Sequence, residues 1–157
     1  MNTTIEIRPA TLKDLPEITS IFRNTMLLIN AKDYSEKQIK GMASAADDTE
    51  IWTERINSLY FIVAEIKSVI VGFAYLKNGN HFDGLFVHKD FQRQGIGSKL
   101  VRIIESQVMM HEFEVIKSDV SITALPFFDN KYYEVIKKQK KSFKGLVFEN
   151  YLVEKVL

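Results

Sequence analysis

The run Phe86-Val87-His88-Lys89-Asp90-Phe91-Gln92-Arg93-Gln94-Gly95-Ile96-Gly97-Ser98-Lys99-Leu100 brings together the residue types that hold a phosphate. An apolar, strand-like stretch breaks into a short polar turn, and a glycine-punctuated loop then opens an amphipathic helix. Glycine lets the backbone approach a ligand closely, and the first N–H groups of a helix have no internal partner. The helix dipole adds roughly half a positive charge at that end, which suits a phosphate or pyrophosphate. Just upstream, His81 and Asp83 stand two residues apart on one strand. They therefore share a face, and a histidine exchanges protons near neutral pH.

Two common phosphate loops fail against these residues. The dinucleotide fingerprint requires a third glycine where Leu100 stands, and the nucleoside-triphosphate loop requires a lysine where Ser98 follows Gly97. What remains is Gln92-x-x-Gly95-x-Gly97, set between Leu85-Phe86-Val87 and the helical pattern Leu100, Ile103, Ile104.

Composition narrows the setting. A chain of 157 residues with 46% hydrophobic content suits one domain with one sizeable core. Lys and Arg total 21 against 20 Asp and Glu, so the net charge gives no general case for nucleic-acid binding. Cysteine is absent, which removes disulfides and thiolate chemistry together. With only 3 histidines and no metal-ligand spacing around them, no metal is expected. Neither a secretory signal nor a membrane-spanning apolar run is seen, so the expectation is a soluble, cytoplasmic protein without a membrane partner.

The elements that must position the loop follow from periodicity. Ile5-Glu6-Ile7-Arg8 alternates as a strand and stops at Pro9. Thr11 to Asp14 fits a capping box, followed by Leu15, Ile18, Ile21 and Phe22 on one helical face. Ser35 to Gln38 repeats that cap for a helix reaching about Ala45, and Asp47, Asp48 and Glu50 open a third helix through Trp52 to Ile56. The period then changes to strands at Tyr60–Ala64 and Val69–Leu76. The hairpin signal Asn78-Gly79-Asn80 leads into His81–Val87.

After a long helix from Gly97 to about Met110, Val115–Val120 reads as a strand. Thr123 is placed to cap a short helix, and Tyr133–Lys140 and Leu146–Val156 read as two closing strands. The order implies an α/β fold with a sheet of mixed direction rather than a doubly wound repeat. Ligands in such sheets bind where strands part at their carboxyl ends, here where His81–Val87 meets the glycine loop.

This order, with Ile7-Arg8-x-Ala10-x-x-x-Asp14 at its start and Gln92-x-x-Gly95-x-Gly97 at its centre, resembles the GNAT superfamily of N-acetyltransferases over nearly the whole chain. The segments Ser121–Phe128 and Leu146–Tyr151 are most similar to a bacterial subgroup of YafP-like acetyltransferases. The resemblance implies a mixed, mostly antiparallel sheet of six to seven strands flanked by helices. It implies acetyl-coenzyme A as acyl donor, with the pyrophosphate on the amides of Gln92, Arg93, Gln94, Gly95, Ile96, Gly97 and Ser98. Leu85, Phe86 and Val87 align the pantetheine, and an N–H of Phe86 or Val87 polarises the thioester carbonyl. Many relatives dimerise, so the resemblance also raises a homodimer.

The chain departs from the family pattern after the fifth strand, in the coenzyme-facing segment. Ser121 stands for an asparagine, and Phe128 for the tyrosine that often protonates the departing thiolate. Tyr132-Tyr133 replaces a Gly-Phe pair, which leaves the acid role to Tyr132, to Tyr133 or to water. On the His81–Val87 strand the resemblance implies a carboxylate base, with His81 nearest its position and Asp83 supplying a carboxylate one dipeptide later. Both also read as ordinary hairpin residues, one solvated and one holding a turn amide.

The expected activity is direct acetyl transfer to a small-molecule or peptide primary amine, whose free form must be generated at the site. A GNAT-fold acyl-coenzyme A-binding module without turnover is the main alternative, motivated by Phe128. Lys137, Lys138, Lys140, Lys141 and Lys144 read first as protection for an exposed strand edge, and less well as attraction for an acidic acceptor or a nucleic acid. Tyr34, Trp52 and Tyr75 are either acceptor-pocket aromatics or core.

Overall fold

A computed structural model describes residues 4–157. Its centre is a seven-stranded sheet in the order β1-β2-β3-β4-β5-β7-β6. The strands are β1 (Ile5–Pro9), β2 (Tyr60–Ile66), β3 (Val69–Lys77), β4 (His81–Val87), β5 (Val115–Val120), β6 (Glu134–Phe143) and β7 (Leu146–Val156). The helices are α1 (Leu15–Asn24), α2 (Glu36–Ala43), α3 (Thr49–Ser58), α4 (Ile96–Met110) and α5 (Leu125–Asn130).

Both capping boxes form, at Thr11 with Asp14 and at Ser35 with Gln38. The first opens a short 3-10 turn that leads into α1, and α2 stops at Ala43. Thr123 does not cap α5; Ala124 occupies the N-cap position without a side-chain cap, while the Thr123 hydroxyl donates to Asp33 at 2.7 Å. The apolar run after α1 forms a π-helical turn over Thr25–Ile29 instead of further α-helix.

Every neighbouring strand pair is antiparallel except β4 and β5. Those two run parallel and register only at His81 opposite Lys117. The Ser118 hydroxyl donates to the Phe82 carbonyl at 2.6 Å just beyond that point. Towards their carboxyl ends the two strands separate.

The core divides between the two faces of the sheet. Against α1 and α3 lies an aromatic cluster in which the fully buried Trp52 meets Phe22, Phe73 and Tyr75 edge-on. Against α4 lie Leu76, Phe82, Leu100, Ile104, Ile116 and Val153. The lysine-rich β6 is one of the sheet's two outer strands and is exposed along most of its length.

Candidate active site

The site begins with an extra residue in β4. Gly84 pairs with Tyr75 and Phe82 with Leu76, so Asp83 bulges out of the ladder. A bulge bends its strand and re-aims a side chain. Gly84 is required there, because a Cβ would fall 2.1 Å from the Tyr75 ring. Past the bulge the ladder is regular, and the His88 N–H donates to the Val71 carbonyl at 2.8 Å. By antiparallel alternation, the peptide groups of Phe86 face β3, and those of Leu85 and Val87 face the gap beside β5.

The loop after β4 is built to present amides. Arg93 and Gly95 both adopt left-handed backbone, with φ of 59° and 81°. Gly95 occupies the N-cap of α4 with no side-chain cap, and the first turn contains no acidic residue. A Cβ at Gly95 would meet nothing within 4 Å, so only its backbone conformation demands glycine. Lys99 is the first residue of α4 whose N–H closes a helical bond, to the Gly95 carbonyl. The N–H groups of Ile96, Gly97 and Ser98 therefore lie at a positive helix end with no side chain competing for them.

Gln92 holds this loop in place, since its side-chain amide donates to the Val87 carbonyl at 2.8 Å. Gln94 is exposed and stands off the cavity wall. Lys99 turns away altogether and donates to the Ile5 carbonyl.

A cavity of about 520 Å³ opens where β4 and β5 part. Its wall carries Leu85, Phe86, Val87, Gln92, Arg93, Gly95, Ile96, Gly97 and Ser98 on the loop side, with Ser121 and Phe128 beyond β5. The π-turn and β7 complete it, with Met26, Ile29 and Asn150 among the residues they bring. Tyr34 also lines it; its hydroxyl accepts the Ile122 N–H at 3.2 Å, and burial pushes the phenol up from its ordinary range. Trp52 and Tyr75 are core residues and do not reach the wall.

Asp83 lines the cavity together with a carboxylate that sequence reasoning missed, Asp119 of β5. His81 lies behind them, with Nε2 3.7 Å from Asp83 Oδ1 and 3.3 Å from Asp119 Oδ2. Burial pushes the Asp119 carboxyl up. Hydrogen bonds from Lys141 (2.9 Å) and Gln139, with the charges of Lys141 and His81, outweigh that and hold it below the ordinary value of 3.8.

Tyr133 does not line the cavity. It is buried against α4, its hydroxyl donates to Glu105 Oε2 at 2.7 Å, and burial followed by that carboxylate pushes its phenol far up. The reason is local: Tyr132, with φ of 71°, takes the left-handed position after α5 that a glycine usually fills. Tyr133 then falls into the core beside Phe128. No cluster of potential metal ligands exists among the described residues, and none of their helices is long and apolar enough to cross a membrane.

A mixed sheet parted between β4 and β5, with an uncapped helix at the parting, is the architecture of the GNAT N-acetyltransferases. The chain belongs to that family: the model of the acetyltransferase (GNAT) domain matches residues 30–155. It is 30% identical over 148 residues to the uncharacterized N-acetyltransferase YafP of Escherichia coli (strain K12), covering 94% of this chain and 93% of that one.

The crystal structure of a GCN5-related N-acetyltransferase from Rhodopseudomonas palustris, also described as a class-II aminotransferase, superposes with a TM-score of 0.96. Its identity is 30%, and the match covers 100% of this chain and 99% of that one. The PaiA N-acetyltransferase of Thermoplasma acidophilum, solved with coenzyme A, superposes at 0.82 with 18% identity over 98% and 99% of the two chains.

Proposed function

We propose that the protein transfers an acetyl group directly from acetyl-coenzyme A to a primary amine. The observation that carries this is the α4 N-terminus, uncapped and free of acidic residues, opening onto the cavity between β4 and β5. The residues present fit the donor. The amides of Ile96, Gly97 and Ser98 suit its pyrophosphate, and the Val87 peptide, rather than that of Phe86, faces the gap where a thioester carbonyl would lie. The donor supplies an activated acyl carbon. The chain supplies alignment, carbonyl polarisation and a route for the amine's proton.

Asp83 and Asp119 are the two wall carboxylates beside His81, and His81 behind them is partly exposed, so a proton taken from the amine has a path through His81 to water. Tyr34 is the one tyrosine of the wall and is our candidate acid for the departing thiolate. A binding module without turnover remains the second reading, on the strength of Phe128 in the wall. Calorimetry with acetyl-coenzyme A, joined to a thiol-release assay over an amine panel, tests both. Binding with amine-dependent thiol release supports the enzyme, binding without release supports the module, and no binding defeats both.

A further inference from the structure

Among the described residues, two buried polar side-chain atoms have no hydrogen-bond partner, Thr25 Oγ1 and Asn150 Oδ1. Both residues belong to the wall of the same cavity. They come from distant parts of the chain, Thr25 from the first position of the π-turn and Asn150 from β7. A buried polar atom left unpaired keeps its full desolvation penalty, and such atoms are few in folded proteins. Single π-turns, moreover, recur at functional sites.

We propose that these two atoms recognise the acceptor, and that the acceptor is an amine on an apolar body bearing a neutral hydroxyl or carboxamide. This rests on the acetyltransferase reading above. Asn150 Oδ1 calls for a donor, and the Thr25 hydroxyl both donates and accepts. Around them stand Met26, Ile29, Met42 and Phe148, an apolar lining in which methionine adapts to varied shapes.

The charges of the wall point the same way. Asp83, Asp119 and Glu149 are its acids, and Arg93, in the glycine loop, is its one cation. Lys141 and Lys138 pair with Asp119 and Glu149 without forming part of the wall. An ammonium is attracted by these carboxylates, whereas a free carboxylate on the acceptor would face them directly.

Four amines of one chain length test this: pentylamine, 5-aminopentanol, 5-aminopentanamide and 5-aminopentanoate. Their affinities are measured by calorimetry on the protein saturated with coenzyme A, where no turnover occurs. The alcohol and the amide are expected to bind about tenfold or more tighter than the hydrocarbon and the acid. Thr25→Val and Asn150→Leu should each erase that preference, leave coenzyme affinity unchanged, and keep or raise the thermal midpoint, because an unpaired polar atom is removed. Equal binding of all four, binding of none, or variants that melt lower yet keep the preference would overturn the proposal. Absence of coenzyme A binding would instead strike the acetyltransferase reading itself.

Discussion

Asp119 Oδ2 lies 3.3 Å from His81 Nε2, joining β5 to β4 at the one point where the two strands still register. With Asp83 Oδ1 on the same nitrogen at 3.7 Å, the imidazole sits between two carboxylates. Lys141 and Gln139 fix the Asp119 carboxylate from β6, so the arrangement draws on three strands.

Loss of a general base costs about a hundredfold or more in turnover. Asp83→Asn should show a fall of that order in steady-state thiol release. Asp119→Asn should lower turnover about tenfold, through the displaced histidine, with acetyl-coenzyme A affinity intact by calorimetry. Wild-type turnover in both variants would remove the carboxylates from the chemistry.

Gly95 stands at φ of 81° in open space, so a larger residue meets strain but no clash. Left-handed backbone costs a side chain about 1–2 kcal/mol. Gly95→Val should therefore weaken acetyl-coenzyme A about tenfold or more, with the melting temperature lowered by only a few degrees. Unchanged affinity would mean that the loop amides do not hold the donor.

Tyr34 and Tyr133 should separate cleanly. Tyr34→Phe should lower turnover without lowering the melting temperature by more than a few degrees. Tyr133→Phe leaves Glu105 without its phenol donor, and a hydrogen bond to a charged group contributes about 1.5–3 kcal/mol. It should lower stability in denaturant titration and leave turnover alone. The reverse pattern would transfer the acid role to Tyr133.

Asp14 couples the fold to pH. Hydrogen bonds from Arg8 hold its carboxyl below the ordinary 3.8; burial opposes this, and the Thr11 amide adds to the lowering. Between that lowered value and 3.8 the unfolded chain binds more protons than the folded one, so the stabilisation is complete above 3.8 and lost as acid is added. Asp14→Asn should cost about 2 kcal/mol at pH 7 and flatten this part of the acid limb in denaturant melts taken from pH 6 to pH 2. An equally steep limb in the variant would assign the effect to another carboxylate.

The strands, the hairpin turns and the glycine loop were legible because their signals are local. Asn78 and Gly79 take the left-handed backbone their types favour, as Gly95 does. The site residues that escaped depend on contacts no local pattern records. Asp119 alternates unremarkably along β5, and its meeting with His81 exists only through the parallel pairing of β4 and β5. The bulge at Asp83 is a single extra residue inside a run that reads as regular strand. Met26-Leu27-Leu28-Ile29 is equally apolar for an α- or a π-turn, so spacing leaves its geometry open. Tyr133 carries the residue type expected of an acid, yet the left-handed Tyr132 before it turns it into the core.

The parting of β4 and β5 has a consequence for how such a protein diversifies. Its width is set by main-chain ladders on either flank, which side-chain replacement barely touches. On the acceptor recognition proposed above, the groups that choose among guests hang from a helical turn and a distal hairpin. On that reading, a lineage can exchange one amine for another while its grip on the common donor stays as inherited.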